Sequence, residues 1–132
     1  MATWLQVKER LSQQWNIIEP AENIVRISFN TSGDRKQQII IENVQDAFGN
    51  HWVQFYSYIG MLPENKINQV LAKINSTVVC GGLVKSKIHE YHYLRQTLNI
   101  SEISIERVMG LILTIISFAD DLEKQFIGSD IC

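Results

Sequence analysis

Apolar residues at Trp4, Val7, Leu11, Trp15 and Ile18 recur in steps of three and four, which predicts a helix over Thr3 to Ile18. Thr3 is placed to cap its first turn, and Pro20 follows its end. The period then changes to two. From Asn23 to Phe29, Val25, Ile27 and Phe29 alternate with Arg26 and Ser28, as on a half-buried strand. Ser32-Gly33-Asp34 reads as a turn, so Lys36 to Val44 should return antiparallel. Its Ile39-Ile40-Ile41 run predicts a strand covered on both faces. Gly49-Asn50 turns the chain into a third strand, His51 to Ile59, completing a β-meander.

Pro63 at a first helical position, with Glu64 beside it, predicts a short helix whose apolar stripe is Ile67, Val70, Leu71 and Ile74. Gly81-Gly82 breaks that pattern, and two tightly connected strands follow, Leu83 to Ile88 and about Tyr91 to Leu98. Ser101 or Ser104 can cap a last helix running to Ile127. At 100° per residue its apolar positions sweep an arc of roughly 220°, where packing on one sheet needs about 100°. Val108, Ile112, Ile115, Ala119, Leu122 and Phe126 form the centre, and Gly110, Thr114, Ser117 and Asp121 the remaining strip. The excess surface should meet either another helix of this chain or a second copy of it. The expected fold is α+β in the order α-β-β-β-α-β-β-α, an antiparallel sheet with the helices mainly on one face.

The 132 residues make one domain, without repeats or long linkers. With 45% hydrophobic and 20% charged residues the composition is globular, and the net charge of −2 argues against general affinity for nucleic acid or anionic membrane. Two cysteines, Cys80 and Cys132, are too few for a disulfide framework. Lys8, Glu9 and Arg10 interrupt the stretch where a secretory leader needs an apolar run. The longest apolar stretch, Val108 to Ala119, is 12 residues, against about 20 for a membrane span. The expected location is the cytoplasm, which makes the sequons at Asn30, Asn75 and Asn99 chance matches.

Segments of this chain resemble the type III secretion chaperone-like superfamily, and within it the YbjN-type proteins. They are Ser57-Tyr58-Ile59-Gly60 leading into the second helix, Leu71 to Asn75 closing it, Gly82-Leu83 opening the fourth strand, and Ala119-Asp120-Asp121-Leu122-Glu123 with Asp130 soon after. The resemblance spans nearly the whole chain. It implies a homodimer-forming α+β domain without catalytic residues. In secretion chaperones proper the dimer shields a non-globular effector segment, whereas YbjN-type proteins share the fold without that role following.

Catalytic patterns are sparse. His89-Glu90-Tyr91-His92 superficially resembles a metal motif, but on a strand the odd spacing sends the two imidazoles to opposite faces, and two half-exposed histidines are expected. Asp120, Asp121 and Glu123 cluster near a helix C-terminus, project from different sides, and call for a basic partner, either Lys124 or a residue on the sheet. Cys80 has no paired cysteine or neighbouring histidine and reads as a structural thiol. Gly81-Gly82 opens a strand and not the helix a phosphate loop needs. No enzyme activity, metal or cofactor is expected.

Alternation leaves two sheet faces. Val25, Ile27, Phe29, Ile39, Ile41, Val53, Phe55, Ile59, Val84, Ile88, Leu94 and Leu98 form the one the helices should cover. Opposite lie Arg26, Gln38, Ile40, Trp52, Gln54, Tyr56, Tyr58, Lys85, Lys87, Tyr91, Tyr93 and Arg95. Tyr, Trp and Arg are the types that dominate protein interfaces, so Trp52, Tyr56, Tyr58, Tyr91, Tyr93, Arg95 and Arg26 are the expected contact residues for a protein partner or second subunit. The alternatives are an ordinary half-exposed face held by aromatic pairs, a small-molecule-binding regulatory domain, and single-stranded RNA stacking on the aromatics.

Overall fold

Thr3 caps the first helix reciprocally: its hydroxyl accepts from the Gln6 N–H while Gln6 accepts from the Thr3 N–H. The structure, a computed structural model, describes residues 3–18, 21–31, 35–76, 82–86, 91–102 and 104–127. The first helix, α1 (Trp4–Gln14), ends short of the expected Ile18. Trp15 leaves it in an extended conformation, its ring edge-on to Phe29 at 5.1 Å. Ile17–Ile18, β-branched and better suited to a pleated ladder than to a helix, instead form a short strand β1. β1 pairs antiparallel with β2 (Ile24–Asn30), Ile17 opposite Ile27.

β3 (Lys36–Gln45) and β4 (His51–Gly60) complete the meander as expected, Gly49 supplying the positive φ of the hairpin between them. The Ser32-Gly33-Asp34 turn lies outside the described residues. After β4, Pro63 precedes a single 3₁₀ turn, Glu64–Lys66, so the second helix proper, α2 (Ile67–Asn75), starts later than the proline indicated. Val70 and Ile74 of its stripe are buried, whereas Leu71 stays exposed. β5 (Gly82–Lys85) and β6 (His92–Asn99) follow, and Ser104 accepts from the Arg107 N–H to cap α3 (Ile105–Phe126). The fold is α+β as expected, with β1 as one additional strand. All pairings are antiparallel and the sheet order is β1-β2-β3-β4-β6-β5.

The core is continuous and lies on one side. Val25, Ile27, Ile39, Ile41, Val53, Phe55 and Leu94 from the sheet meet Val7 and Leu11 of α1, Val70 and Ile74 of α2, and Val108, Ile112, Ile115, Ala119 and Leu122 of α3. At about 1.5–3 kcal/mol for each large side chain fully buried, this cluster is the main source of stability. α3 lies across β3, β4 and β6 and packs against α1 along its flank, which uses part of its wide apolar arc. Leu113 remains 52% exposed.

Three readings of the sheet are corrected. Ile40 is only half-buried while Ile39 and Ile41 are fully buried, so β3 is covered on one face and not on both. In β5, Leu83 pairs with buried Leu94 and packs on the core, while Val84 pairs with Tyr93 and Lys85 with buried His92. Val84 therefore lies on the open face and Lys85 on the helix side, the reverse of the expected alternation, because a one-residue shift of register inverts every side chain. Ile88 and Lys87 lie outside the described residues. His92 is buried at 6% exposure, not half-exposed, and its Nδ1 accepts from the Leu62 N–H at 3.3 Å; His89 lies outside the described residues. The β4–β6 register shifts between Tyr58 and Gly60, a bulge at a positive-φ glycine that brings His92 opposite Gly60.

Candidate functional site

With α1, α2 and α3 all on the other side, alternation leaves one face of the sheet without a helix among the described residues. Cross-strand register then decides which side chains meet there. Tyr56 pairs with Arg95 and Tyr58 with Tyr93 across β4 and β6. The Tyr56 and Tyr93 rings are 5.2 Å apart, Tyr58 and Tyr93 are 5.8 Å apart, and Tyr58 and Tyr91 are 6.3 Å apart, all edge-to-face. Four of the expected contact residues thus form one aromatic cluster. Each contact is of a kind worth about 0.5–1.5 kcal/mol beyond burial, so the cluster also stiffens the two strands.

Arg26 and Arg95 flank it. One row runs straight across the sheet, from Ile18 through Arg26, Ile40 and Tyr56 to Arg95 and Gly82. A groove of about 260 Å³ opens over this row, lined by Ile24, Arg26, Ile40, Glu42, Tyr56, Tyr58, Ser86 and Tyr93. The Tyr56 hydroxyl donates to Gln54 Oε1. Burial pushes its phenol pKa up, with the Glu42 carboxylate and Tyr93 acting in the same direction against Arg95, so the hydroxyl stays a neutral donor at physiological pH.

Trp52 does not join the cluster. It stands one turn of hairpin away, its indole N–H donating to Asp46 Oδ2 at 2.9 Å. Asp46 organises that hairpin: Oδ1 accepts from the Phe48 and Asn50 N–H groups, each at 2.9 Å, and Oδ2 also accepts from the Asn50 amide. These donors, the Trp52 indole first, hold the Asp46 pKa down at about 2. The indole's polar end is therefore used inside the chain.

Glu42 and Ile24 line the groove without having been singled out, although both share the parity of residues that were, Ile40 and Arg26 respectively. Alternation alone assigns them to this face; no local pattern marks them as functional.

The acidic cluster serves the fold. Asp120 and Glu123, one helical turn apart, converge on Arg35: Nε lies 3.1 Å from Asp120 Oδ1 and Nη2 2.8 Å from Glu123 Oε1. The expectation that they point to different sides fails for this pair because positions three apart share a helix face; Asp121 alone is solvent-exposed. The basic partner comes from the residue entering β3, in line with a partner on the sheet. On the core face Gln37 is fully buried and donates to Ser57 Oγ at 2.9 Å, and Ser57 donates to the Gln38 carbonyl at 2.8 Å.

Beside the start of α2, a second hollow of about 310 Å³ is lined by Met61, Leu62, Glu64, Ile67, Lys85 and His92. Among the described residues no three His, Cys, Asp or Glu side chains converge as a metal set, and no helix is long and apolar enough to cross a membrane. Cys80 and Cys132 lie outside the described residues.

Fold and face together define an α+β domain with a one-sided helical layer and an open aromatic sheet. No protein-family model matches the chain, and no curated protein matches it significantly in sequence.

Proposed function

We propose that this chain is a protein-binding domain that acts without catalysis, chaperone-like or regulatory in role, with the open sheet face as its contact surface and a homodimer as its working form. The observation that carries the reading is the aromatic cluster of Tyr56, Tyr58, Tyr91 and Tyr93 with Arg26 and Arg95 beside it, around a groove on a face that no helix covers among the described residues. Such side chains combine broad apolar area with polar ends and few rotatable bonds, which limits the entropy lost on binding. The resemblance to the type III secretion chaperone-like superfamily points the same way. What supports the dimer is the outer strip of α3, where Leu113 is 52% exposed beside Gly110, whose Cα faces open space. Activity in the cytoplasm belongs to the same reading.

The test uses Tyr56→Ala with Tyr93→Ala. Proteins retained by the wild-type chain are identified by mass spectrometry, purified and titrated directly. The double variant should bind them at least about thirtyfold more weakly, the scale of losing interface anchors, while still unfolding in one cooperative step at a thermal midpoint several degrees lower, for the ring contacts it gives up. Equal affinity for both chains removes the open face from the reading. Light scattering should give twice 15.2 kDa; a single 15.2 kDa species across the micromolar range removes the dimer.

A further inference from the structure

The charges on the open face are arranged in a way that selects among protein partners. Of the charged strand residues that alternate onto it, among those described, Arg26, Lys36 and Arg95 are cationic and Glu42 is anionic, although the chain as a whole carries −2. An electropositive face on an electronegative molecule favours an acidic partner and orients it during approach.

The register adds a ruler. Arg26 and Arg95 occupy the same cross-sheet row, separated by the strands that carry Ile40 and Tyr56. Three inter-strand steps of about 4.8 Å place the two positions roughly 14 Å apart. An extended peptide advances about 3.3 Å per residue and returns its side chains to the same side every second residue. Two carboxylates four residues apart therefore point the same way at about 13 Å, with one side chain midway between them. That middle side chain falls over Ile40 and Tyr56, in the groove. Glu42, two residues along β3 from Ile40, borders the groove and disfavours an acid at the middle position.

We infer that the open face recognises an extended acidic segment of the form acid-x-apolar-x-acid, the outer carboxylates meeting Arg26 and Arg95 and the apolar residue seated over Tyr56. This deepens the protein-binding reading above and rests on it. A guanidinium presents five N–H donors, enough to receive a carboxylate in a bidentate geometry while also serving a neighbour within the chain. Single-stranded RNA suits the face less well, since the tyrosine rings are engaged edge-to-face with one another and Glu42 repels phosphate.

The experiment is fluorescence anisotropy with a labelled Gly-Glu-Ser-Leu-Ser-Glu-Gly peptide at low ionic strength. Its controls carry the two glutamates three residues apart, or replace both with glutamine, or replace leucine with glutamate. The four-residue spacing should bind about tenfold tighter than each control, and more weakly as salt rises. Arg26→Ala and Arg95→Ala should each weaken it about tenfold while lowering the thermal midpoint by no more than a few degrees, since each also gives up a neighbour within the chain. Arg95→Glu should instead prefer a peptide in which one outer glutamate is lysine. Equal binding of all spacings, or none at all, overturns the acidic ruler; so does tighter binding of oligouridylate. If the ruler fails while Tyr56→Ala with Tyr93→Ala still abolishes capture of protein partners, the protein-binding reading survives alone. If both experiments fail, both fall.

Discussion

At the scale of single residues, Asp46 shows how one carboxylate can organise a hairpin from the molecule's surface. It receives the backbone of Phe48 and Asn50 and the indole of Trp52, and its pKa falls from an ordinary 3.8 to about 2. A carboxylate whose pKa is lower folded than unfolded contributes stability above the unfolded value and loses it as pH falls through the folded one. Asp46→Asn should therefore lower the thermal midpoint at neutral pH, and the gap to wild type should narrow below pH 3.8 and close near pH 2. Melting curves followed by tryptophan fluorescence across that range read this directly; a gap that persists at pH 2 would show that the charge is not what stabilises the turn. Little of this is visible in sequence, because the Asp46–Trp52 bond depends on a turn geometry that Gly49-Asn50 only hints at.

At the scale of elements, most of the strands and helices were legible in the hydrophobic period, and the failures have identifiable causes. Continuing the apolar stripe of α1 through Ile18 ignored the preference of two β-branched residues for a sheet edge, where β1 pairs with β2. The error in β5 came from extrapolating alternation into a short edge strand. Four residues give no internal check on phase, and only pairing with β6 settles it. Leu83→Lys, which puts a charge against the core, should cost about 1–3 kcal/mol. Val84→Lys, on the open face, should cost less than about 1 kcal/mol. Urea denaturation of the two variants compares them, and the opposite ranking would restore the discarded phase.

Viewed as a whole, the molecule was readable as far as its layers and not as far as its long-range ties. The alternation of β2, β3, β4 and β6 assigned Val25, Ile27, Ile39, Ile41, Val53 and Phe55 to the side where the helices lie, and Tyr56, Tyr58 and Tyr93 to the other. Of the seven expected contact residues, Trp52 is tied to its own hairpin through Asp46, and Arg26, Tyr56, Tyr58 and Tyr93 meet at the groove. The Arg35 clasp was invisible because its members are 85 and 88 residues apart, and no local pattern announces such a pairing. Glu123 is fully buried and the Arg35 side chain is only 17% exposed, so removing the guanidinium strands carboxylates in the interior. Arg35→Met should cost about 3–5 kcal/mol in urea denaturation, whereas Arg35→Met combined with Asp120→Leu and Glu123→Leu should recover much of the loss. A single-variant loss below about 1 kcal/mol would mean that the clasp is ornamental.

That α3, the longest helix of the covering layer, comes so late in the chain has a consequence for synthesis. β2, β3 and β4 emerge from the ribosome with Ile39, Ile41, Val53 and Phe55 bare, and the helix that shelters them, α3, is translated only after β6. Contacts closed over such separations form slowly, because the polymer must give up its freedom before any attraction compensates. Each nascent copy therefore passes through an interval as an oily, half-built ribbon, exposed to other ribbons on the same polysome, until α3 arrives.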